Sequence, residues 1–268
     1  MNPSKTNPVV QISHPEKVFW PEEGYTKGDL ANFYREVFPW LQPYFRGRIL
    51  TMERCPDGMK GECFYQKEVP MGMPPGTATK RLPNKGGSRA ETFPKPDWVC
   101  LDIDPMSESF QDSARASLLV KKFLDELRLV SFPKTSGSRG VHIFIPIKLG
   151  PTADEVLAFA EKLVALVAKS HPKELTVEHR IADRGDRVYL DPFRNGAVQT
   201  VVTPYSVRRK PQAPVSTPLD WTEVARVKDP AEFNIKTFPK RLKKKDPWAD
   251  FFSRRQSLQP ALKQIDRL

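Results

Sequence analysis

Two aspartates stand at i and i+2 in WVCLDIDP, residues 98–105, and Pro105 follows them directly. On a strand, Asp102 and Asp104 leave the same face while Ile103 points to the other. Like charges this close repel unless a cation lies between them. Hard divalent ions bridged by carboxylates are common machinery for phosphoryl displacement. A D-x-D by itself also reads as an ordinary strand-end turn, so the pair needs company. In KTSGSRGVHIFIP, 134–146, Ser136-Gly137-Ser138-Arg139-Gly140 makes a short turn between two apolar strands. Glycines there let the backbone approach a phosphate, and exposed amides make an anion nest. Ser136 and Arg139 add a hydroxyl and a guanidinium, and His142 opens the next strand; the same residues also read as a plain Gly-Ser hairpin with a structural histidine. Asp191 ends the apolar run of DRVYLDPF and supplies a third carboxylate, while Arg208, after the Pro-Tyr-Ser turn of TVVTPYSVRR, can meet a phosphate bidentately.

The elements that must carry these groups follow from periodicity. Apolar residues recur at helical spacing in 28–44 (Leu30, Phe33, Tyr34, Val37, Leu41, Tyr44), in 109–128 (Ala116, Leu119, Val120, Phe123, Leu124, Leu127) and in 152–169 (Val156, Phe159, Ala160, Leu163, Val164, Val167). Short runs rich in Val, Ile, Phe and Tyr predict strands at 48–54, 62–67, 98–103, 129–133, 141–147, 186–191 and 198–202. Helices and strands interleave, so the class is mixed α/β or α+β. Residues 69–97 hold six prolines and four glycines and read as a long loop between an N-terminal part (1–68) and a catalytic part (98–268), all in one integrated domain. A second Pro-rich stretch, 208–220, reads as a separator before a basic tail. From Lys236 to Arg255 that tail has eight basic and two acidic residues, either a solvated helix face or a phosphate-contacting or partner surface.

Composition narrows the classes. Lys and Arg number 43 against 32 Asp and Glu, a net charge of +11 that suits a polyanionic partner. With 39% apolar residues the chain can fold, which excludes wholesale disorder. No run approaches a membrane span, and the first residues lack the apolar stretch of a secretory signal. Three cysteines, Cys55, Cys63 and Cys100, cannot all pair and form no C-x-x-C, which argues against a disulfide framework or a cysteine zinc site and suits a reducing cytoplasm.

Taken together in order, the D-x-D, the S-G-S-R-G-x-H turn and the apolar-Asp strand resemble the three motifs of the archaeo-eukaryotic primase superfamily. More closely, the chain resembles the polymerase domain of the bacterial ligase D proteins of non-homologous end joining. The resemblance runs through I-S-H-P-E-K-V-F-W-P (12–21), Y-T-K-G-D-L (25–30), R-C-P-D-G (54–58), E-C-F-Y-Q-K (62–67), L-D-I-D-P, T-S-G-S-R-G-V-H, Y-L-D and T-P-Y-S-V-R, and so covers about residues 10–210. It implies a primase-polymerase core of mixed, largely antiparallel sheets flanked by helices. It implies two metal ions, manganese or magnesium, on Asp102, Asp104 and Asp191, and a triphosphate gripped by Ser136, Arg139, His142 and Arg208. Phe64, with Tyr65 beside it, would stack near the base pair or template. Lys17 and Lys27, which flank a Pro-Gly turn ahead of the first helix, would bind the 5′-phosphate beyond a gap. The implied partners are DNA with gaps or 5′-phosphorylated ends, nucleoside triphosphates, a DNA ligase and a Ku-type end-binding protein, for a monomer in the bacterial cytoplasm at the nucleoid.

One departure stands out. The family carries a helical stretch ending in Leu-Glu-x-His before its D-x-D, whereas here a shorter Pro/Gly loop stands there and no histidine lies between His14 and His142. Lys80, Arg81, Lys85 and Arg89 on that loop are the candidates to replace the missing triphosphate ligand. No K-x-D-G ligase nucleophile and no nuclease metal cluster is present, so the expectation is a stand-alone polymerase-type protein or an excised domain. The reading is a template-directed nucleotidyltransferase that extends 3′ ends, ribonucleotide-tolerant by resemblance. A catalytically weak end-binding and bridging module is the alternative, and a primase starting strands unaided is a third.

Overall fold

In the computed structural model, residues 11–66 and 95–268 are described. Lys80, Arg81, Lys85 and Arg89 therefore lie outside the described residues, as does most of the 69–97 loop. β1 (Val18–Trp20) pairs with β2 (Tyr25–Thr26) and delivers the chain to α1 (Lys27–Phe45). Thr26 caps α1: its hydroxyl accepts from Asp29 N–H while the Asp29 carboxylate accepts from Thr26 N–H, a reciprocal box that satisfies two otherwise orphaned amides. β3 (Met52–Arg54) and β4 (Phe64–Gln66) form an antiparallel pair.

The main sheet has five strands. β5 (Trp98–Asp104) leads to α2 (Phe110–Glu126), then to β6 (Phe132–Thr135) and β7 (Val141–Pro146); α3 (Ala153–Ser170) follows, then β8 (Leu175–Thr176) and β9 (Val188–Asp191). The order is β6-β7-β5-β9-β8, antiparallel except where β8 runs parallel to β9. Two short helices, α4 (Trp221–Val224) and α5 (Gln259–Ile265), come after it. The strands obey the period of two. Val99, Leu101 and Ile103 of β5, Val141, Ile143 and Ile145 of β7, and Val188 and Leu190 of β9 pack into one core with the stripes of α2 and α3. The intervening residues face the other way. There Cys100, Phe132 and Phe144 meet α1 and the aromatic cluster of Tyr205, Phe238, Trp248 and Phe251. The aromatic cluster fills one end of this second face, and the polar residues Asp102, Asp104, His142 and Asp191 occupy the other.

Four expectations need correction. Residues 198–202 form no strand. After Asp191 the chain leaves the sheet, and the Asn195 side chain takes the place that a longer β9 would fill, accepting from Cys100 N–H at 2.8 Å and donating to Cys100 C=O at 2.7 Å. With that edge of β5 satisfied, 198–202 has no partner there. The stretch 208–220 is no separator: Ala213–Leu219 is buried throughout and lines the outer edge of β6, with Thr135 N–H on Thr217 C=O at 2.9 Å and Leu219 N–H on Pro133 C=O at 3.0 Å. An open sheet edge needs such cover. The segment 236–255 is no simple helix face. It is built of two 3₁₀ turns (Phe238–Lys243 and Phe251–Arg254), buries Phe238, Trp248 and Phe251, and commits Lys236 to Asp29, Arg241 to Glu223 and Arg255 to Asp97, leaving Lys240, Lys243, Lys244 and Lys245 exposed. Finally, Cys55 and Cys63 are joined as a disulfide, with Cα atoms 4.4 Å apart, while Cys100 is a buried free thiol. Counting cysteines misses this because the turn between β3 and β4 folds two positions together that parity treats as independent.

That turn docks on β1. Met59 N–H donates to Phe19 C=O at 2.7 Å, and Gly58, at φ +80°, lies so close that a Cβ would meet Phe19 Cα and O at 2.9 Å. Gly58→Ala adds a left-handed penalty of roughly 1–2 kcal/mol to a backbone clash. The expected result is a melting temperature lower by about 5 °C, read by calorimetry. An unchanged melt would show that the docking contributes nothing to the fold.

Candidate active site

Register builds the site. Asp102 is paired with His142 of β7 on one side and with Asp191 of β9 on the other, and His142 is paired with Lys134 of β6. Side chains in register on neighbouring strands share a face. Lys134, His142, Asp102 and Asp191 thus form one row across four strands, directly beside the apolar row of Phe132, Phe144 and Cys100. Asp104 lies two residues further along β5, opposite Tyr189 and next to the β6–β7 turn. The aspartates inferred from strand spacing are therefore brought together.

Two arginines that sequence spacing did not single out complete the electrostatics. Arg194 Nε lies 3.2 Å from Asp102 Oδ2 and 3.5 Å from Asp191 Oδ2, and Arg184 Nη1 lies 3.7 Å from Asp104 Oδ2. Burial alone would raise the Asp102 carboxyl, but His142 and Arg194 reverse this and hold it well below the ordinary range. Asp104 is raised, first by burial and then by the charge of Asp102. Asp191 is raised by burial too, against the Phe193 amide and Arg194. Among the described residues, no three acidic, histidine or cysteine side chains converge into a ready-made metal cage. The donor set nevertheless fits a hard cation: all oxygen, with Asp191 buried, Asp102 nearly buried and Asp104 half-exposed, and already bridged by a guanidinium between Asp102 and Asp191. The signal for Arg194 was its place three residues after Asp191, in a turn that the Asp191 carboxylate caps by accepting from Phe193 N–H at 2.7 Å.

The β6–β7 turn is closed by its first serine. Ser136 Oγ accepts from Ser138 N–H and Gly140 N–H, both at 3.2 Å, so these two amides face inward. Arg208 crosses the turn, with Nη1 donating to Ser136 C=O at 3.1 Å, and Gly137 leaves room for it: a Cβ there would meet Arg208 Cγ at 2.5 Å. Arg139, half-exposed, pairs with Glu108. Ser136, Arg139, His142 and Arg208 are thus gathered around one corner of the carboxylate row. Arg208 is held there by its own turn, in which Tyr205 has φ +67°, its hydroxyl donates to Asp246 at 2.5 Å, and Val207 N–H donates to Tyr34 Oη at 3.1 Å.

Lys17 and Lys27 meet through the backbone, Lys27 N–H on Lys17 C=O at 2.8 Å. Lys27 is the first residue of α1, where the helix dipole adds to its charge. The Lys17 ammonium rests on Asp57 at 2.6 Å and Pro56 C=O at 2.8 Å, and that of Lys27 on Ser13 C=O at 2.6 Å. Phe64 and Tyr65, on β4, are 48% and 68% exposed, unusual for aromatic residues with no described cover. Arg209, next to Arg208, ties their hairpin to the Arg208 turn through Glu53 at 2.8 Å.

This is the layout of a primase-polymerase core, and comparison with known proteins agrees. A model of the LigD primase-polymerase domain matches residues 26–93 and 83–248, and the chain belongs to that family. It is 29% identical over 286 residues to the multifunctional non-homologous end joining protein LigD of Pseudomonas aeruginosa, covering 95% of this chain and 34% of that protein. It is 28% identical over 274 residues to the bifunctional LigD of Bacillus subtilis, covering 92% and 44%. The chain thus spans less than half the length of these relatives. Its fold is shared with the polymerase domain of Mycobacterium tuberculosis ligase D, solved in complex with DNA, at a TM-score of 0.80 and 20% identity over 91% of this chain and 97% of that one. Among the described residues no helix is long and apolar enough to cross a membrane.

Proposed function

We propose that this chain is a template-directed nucleotidyltransferase that extends 3′ ends at gaps and double-strand breaks in end-joining repair. The observation that carries the reading is the in-register row of Asp191, Asp102 and His142, with Asp104 on the same face and Arg208 at its corner. Asp102, Asp104 and Asp191 would hold two divalent cations, manganese or magnesium. When bound, such ions acidify the 3′-hydroxyl and neutralise charge on the triphosphate and departing pyrophosphate. Arg208, Arg139, His142 and the Ser136 turn orient the triphosphate. Phe64 and Tyr65 offer exposed rings on which a base can stack. Catalysis on this plan is mostly positioning and charge stabilisation. A ligase and a Ku-type end binder are the partners that fit an end-joining role in the bacterial cytoplasm.

The test is primer extension on a gapped duplex with a 5′-phosphate, supplied with ribo- or deoxynucleotides and manganese or magnesium. Templated addition supports the reading. Tight gap binding with no addition under any combination would favour the end-bridging module instead, a role that gives three clustered carboxylates nothing to do.

A second expectation concerns the lysines. Lys17→Ala and Lys27→Ala should each weaken binding to gaps bearing a 5′-phosphate and lower the slope of log K against log salt by about 0.9. Fluorescence anisotropy across a salt series reads both. Equal losses on phosphorylated and unphosphorylated gaps would reduce the lysines to general electrostatics.

A further inference from the structure

The row that carries the aspartates has a fourth member that the reaction outlined above does not use. Lys134 is fully buried, a position that lysine almost never takes without a carboxylate partner. Among the described residues its ammonium has none within ion-pair distance. Nζ lies 2.9 Å from His142 Nδ1 and 2.6 Å from Ser216 Oγ, with the Phe144 ring 5.6 Å away. A buried cation held only by neutral groups is costly, and the apolar row beside it shows that the fold accepts an apolar residue on this face.

With Lys134 as an ammonium and Asp102 ionised, the hydrogen bonds around it have one consistent solution. The single hydrogen of Ser216 Oγ goes to Thr135 C=O at 2.9 Å, so this hydroxyl can only accept from Lys134. At the far side of the ring, His142 Nε2 lies 3.3 Å from Asp102 Oδ1, and an ionised carboxylate only accepts. Nε2 therefore carries a hydrogen. Lys134, with three donors to place, fills the lone pair of Nδ1. A ring flip would lose both bonds.

We propose, as a deepening of the function above on which it rests, that Lys134 is a positioning residue: anchored by Ser216, it fills the Nδ1 lone pair of His142 and so turns an Nε2–H toward Asp102. His142 then presents a donor, not an acceptor, to the reaction centre. The same anchor joins the two halves of the site, because Ser216 N–H donates to Ser206 C=O at 2.8 Å and Tyr205 N–H to Ser216 C=O at 2.7 Å, within the turn that holds Arg208.

The test is long-range ¹H–¹⁵N spectroscopy of the histidines in the full chain at neutral pH, without DNA, nucleotide or metal. His142 is assigned by its absence in His142→Gln. The wild type should show a pyridine-like Nδ1 and a pyrrole-like Nε2. Lys134→Met should lose that single pattern, and Lys134→Arg, which keeps a donor, should restore part of it. Addition on gapped DNA should fall roughly 10- to 100-fold in Lys134→Met, as for other supporting-shell changes, with gap binding unaltered. Should Lys134→Met not fold, Ser216→Ala, which frees the ammonium from its anchor, is expected to broaden or shift the Nδ1 signal. A protonated Nδ1 in the wild type overturns the proposal, as does an unchanged pattern in a folded Lys134→Met or, where that variant does not fold, in Ser216→Ala. If the spectra behave as expected but no variant, wild type included, adds nucleotides, the polymerase reading fails and the role of Lys134 in setting the ring stands.

Discussion

Asp102→Asn and Asp104→Asn should each reduce nucleotide addition by roughly a thousand-fold or more, while affinity for a gapped duplex stays within about two-fold of the wild type. Asparagine keeps the shape of the side chain and removes the charge, which separates the chemistry from the packing. The two sites should differ in stability. Asp102 is nearly buried, and it neutralises Arg194 and lies 3.3 Å from His142 Nε2, so its loss leaves a half-buried guanidinium with, among the described residues, Asp191 alone. Asp104 is half-exposed and touches Arg184 at 3.7 Å, so Asp104→Asn should melt close to the wild type. Single-turnover addition, anisotropy and calorimetry together read this pattern. Near-parent addition by either variant would remove the carboxylates from the reaction.

Gly137→Ala should act on the nucleotide and not on the gap. At φ +72° an alanine costs roughly 1–2 kcal/mol, and its Cβ would fall 2.5 Å from Arg208 Cγ, so the turn and the arginine cannot both stay where they are. Arg208 is the yielding partner, because the turn is pinned by Ser136 N–H on Gly140 C=O at 2.9 Å and by the two amides on Ser136 Oγ. KM for the nucleotide should rise about ten-fold or more, the loss of a charge-assisted phosphate contact. Gap affinity should hold, since Lys17, Lys27 and Phe64 lie on other elements. An unchanged KM would mean that Arg208 does not touch the triphosphate.

Much of this site was legible from alternation alone. Period-two spacing placed Asp102 and Asp104 on one face and Ile103 in the core, and the apolar run before Asp191 marked a strand ending at the same level. The three long helices were legible from their stripes. Lys134 was missed although the turn announces it: Lys134 and His142 stand symmetrically about the Ser136–Gly140 turn, so any hairpin there pairs them. Arg194 and Arg184 were missed because their contacts depend on irregular turns around β9, which carry no period. The stretch 208–220 misled because proline usually marks linkers, yet it also suits the cover of an edge strand, where few donors are needed. The Cys55–Cys63 bridge and the ion pairs of 236–255 are long-range or turn-made, and composition is blind to both.

The central claim, that the row on β5 and β9 is a metal-dependent nucleotidyl-transfer site, is tested most directly by diffraction. Crystals of the full chain would be soaked with manganese and a nucleoside triphosphate, and anomalous maps collected. The account predicts manganese peaks against Asp102, Asp104 and Asp191, with the Arg194 guanidinium displaced from between Asp102 and Asp191 and Arg208 on the triphosphate. A map with Arg194 still bridging the two carboxylates, and manganese absent from the row at saturating concentration, would contradict it.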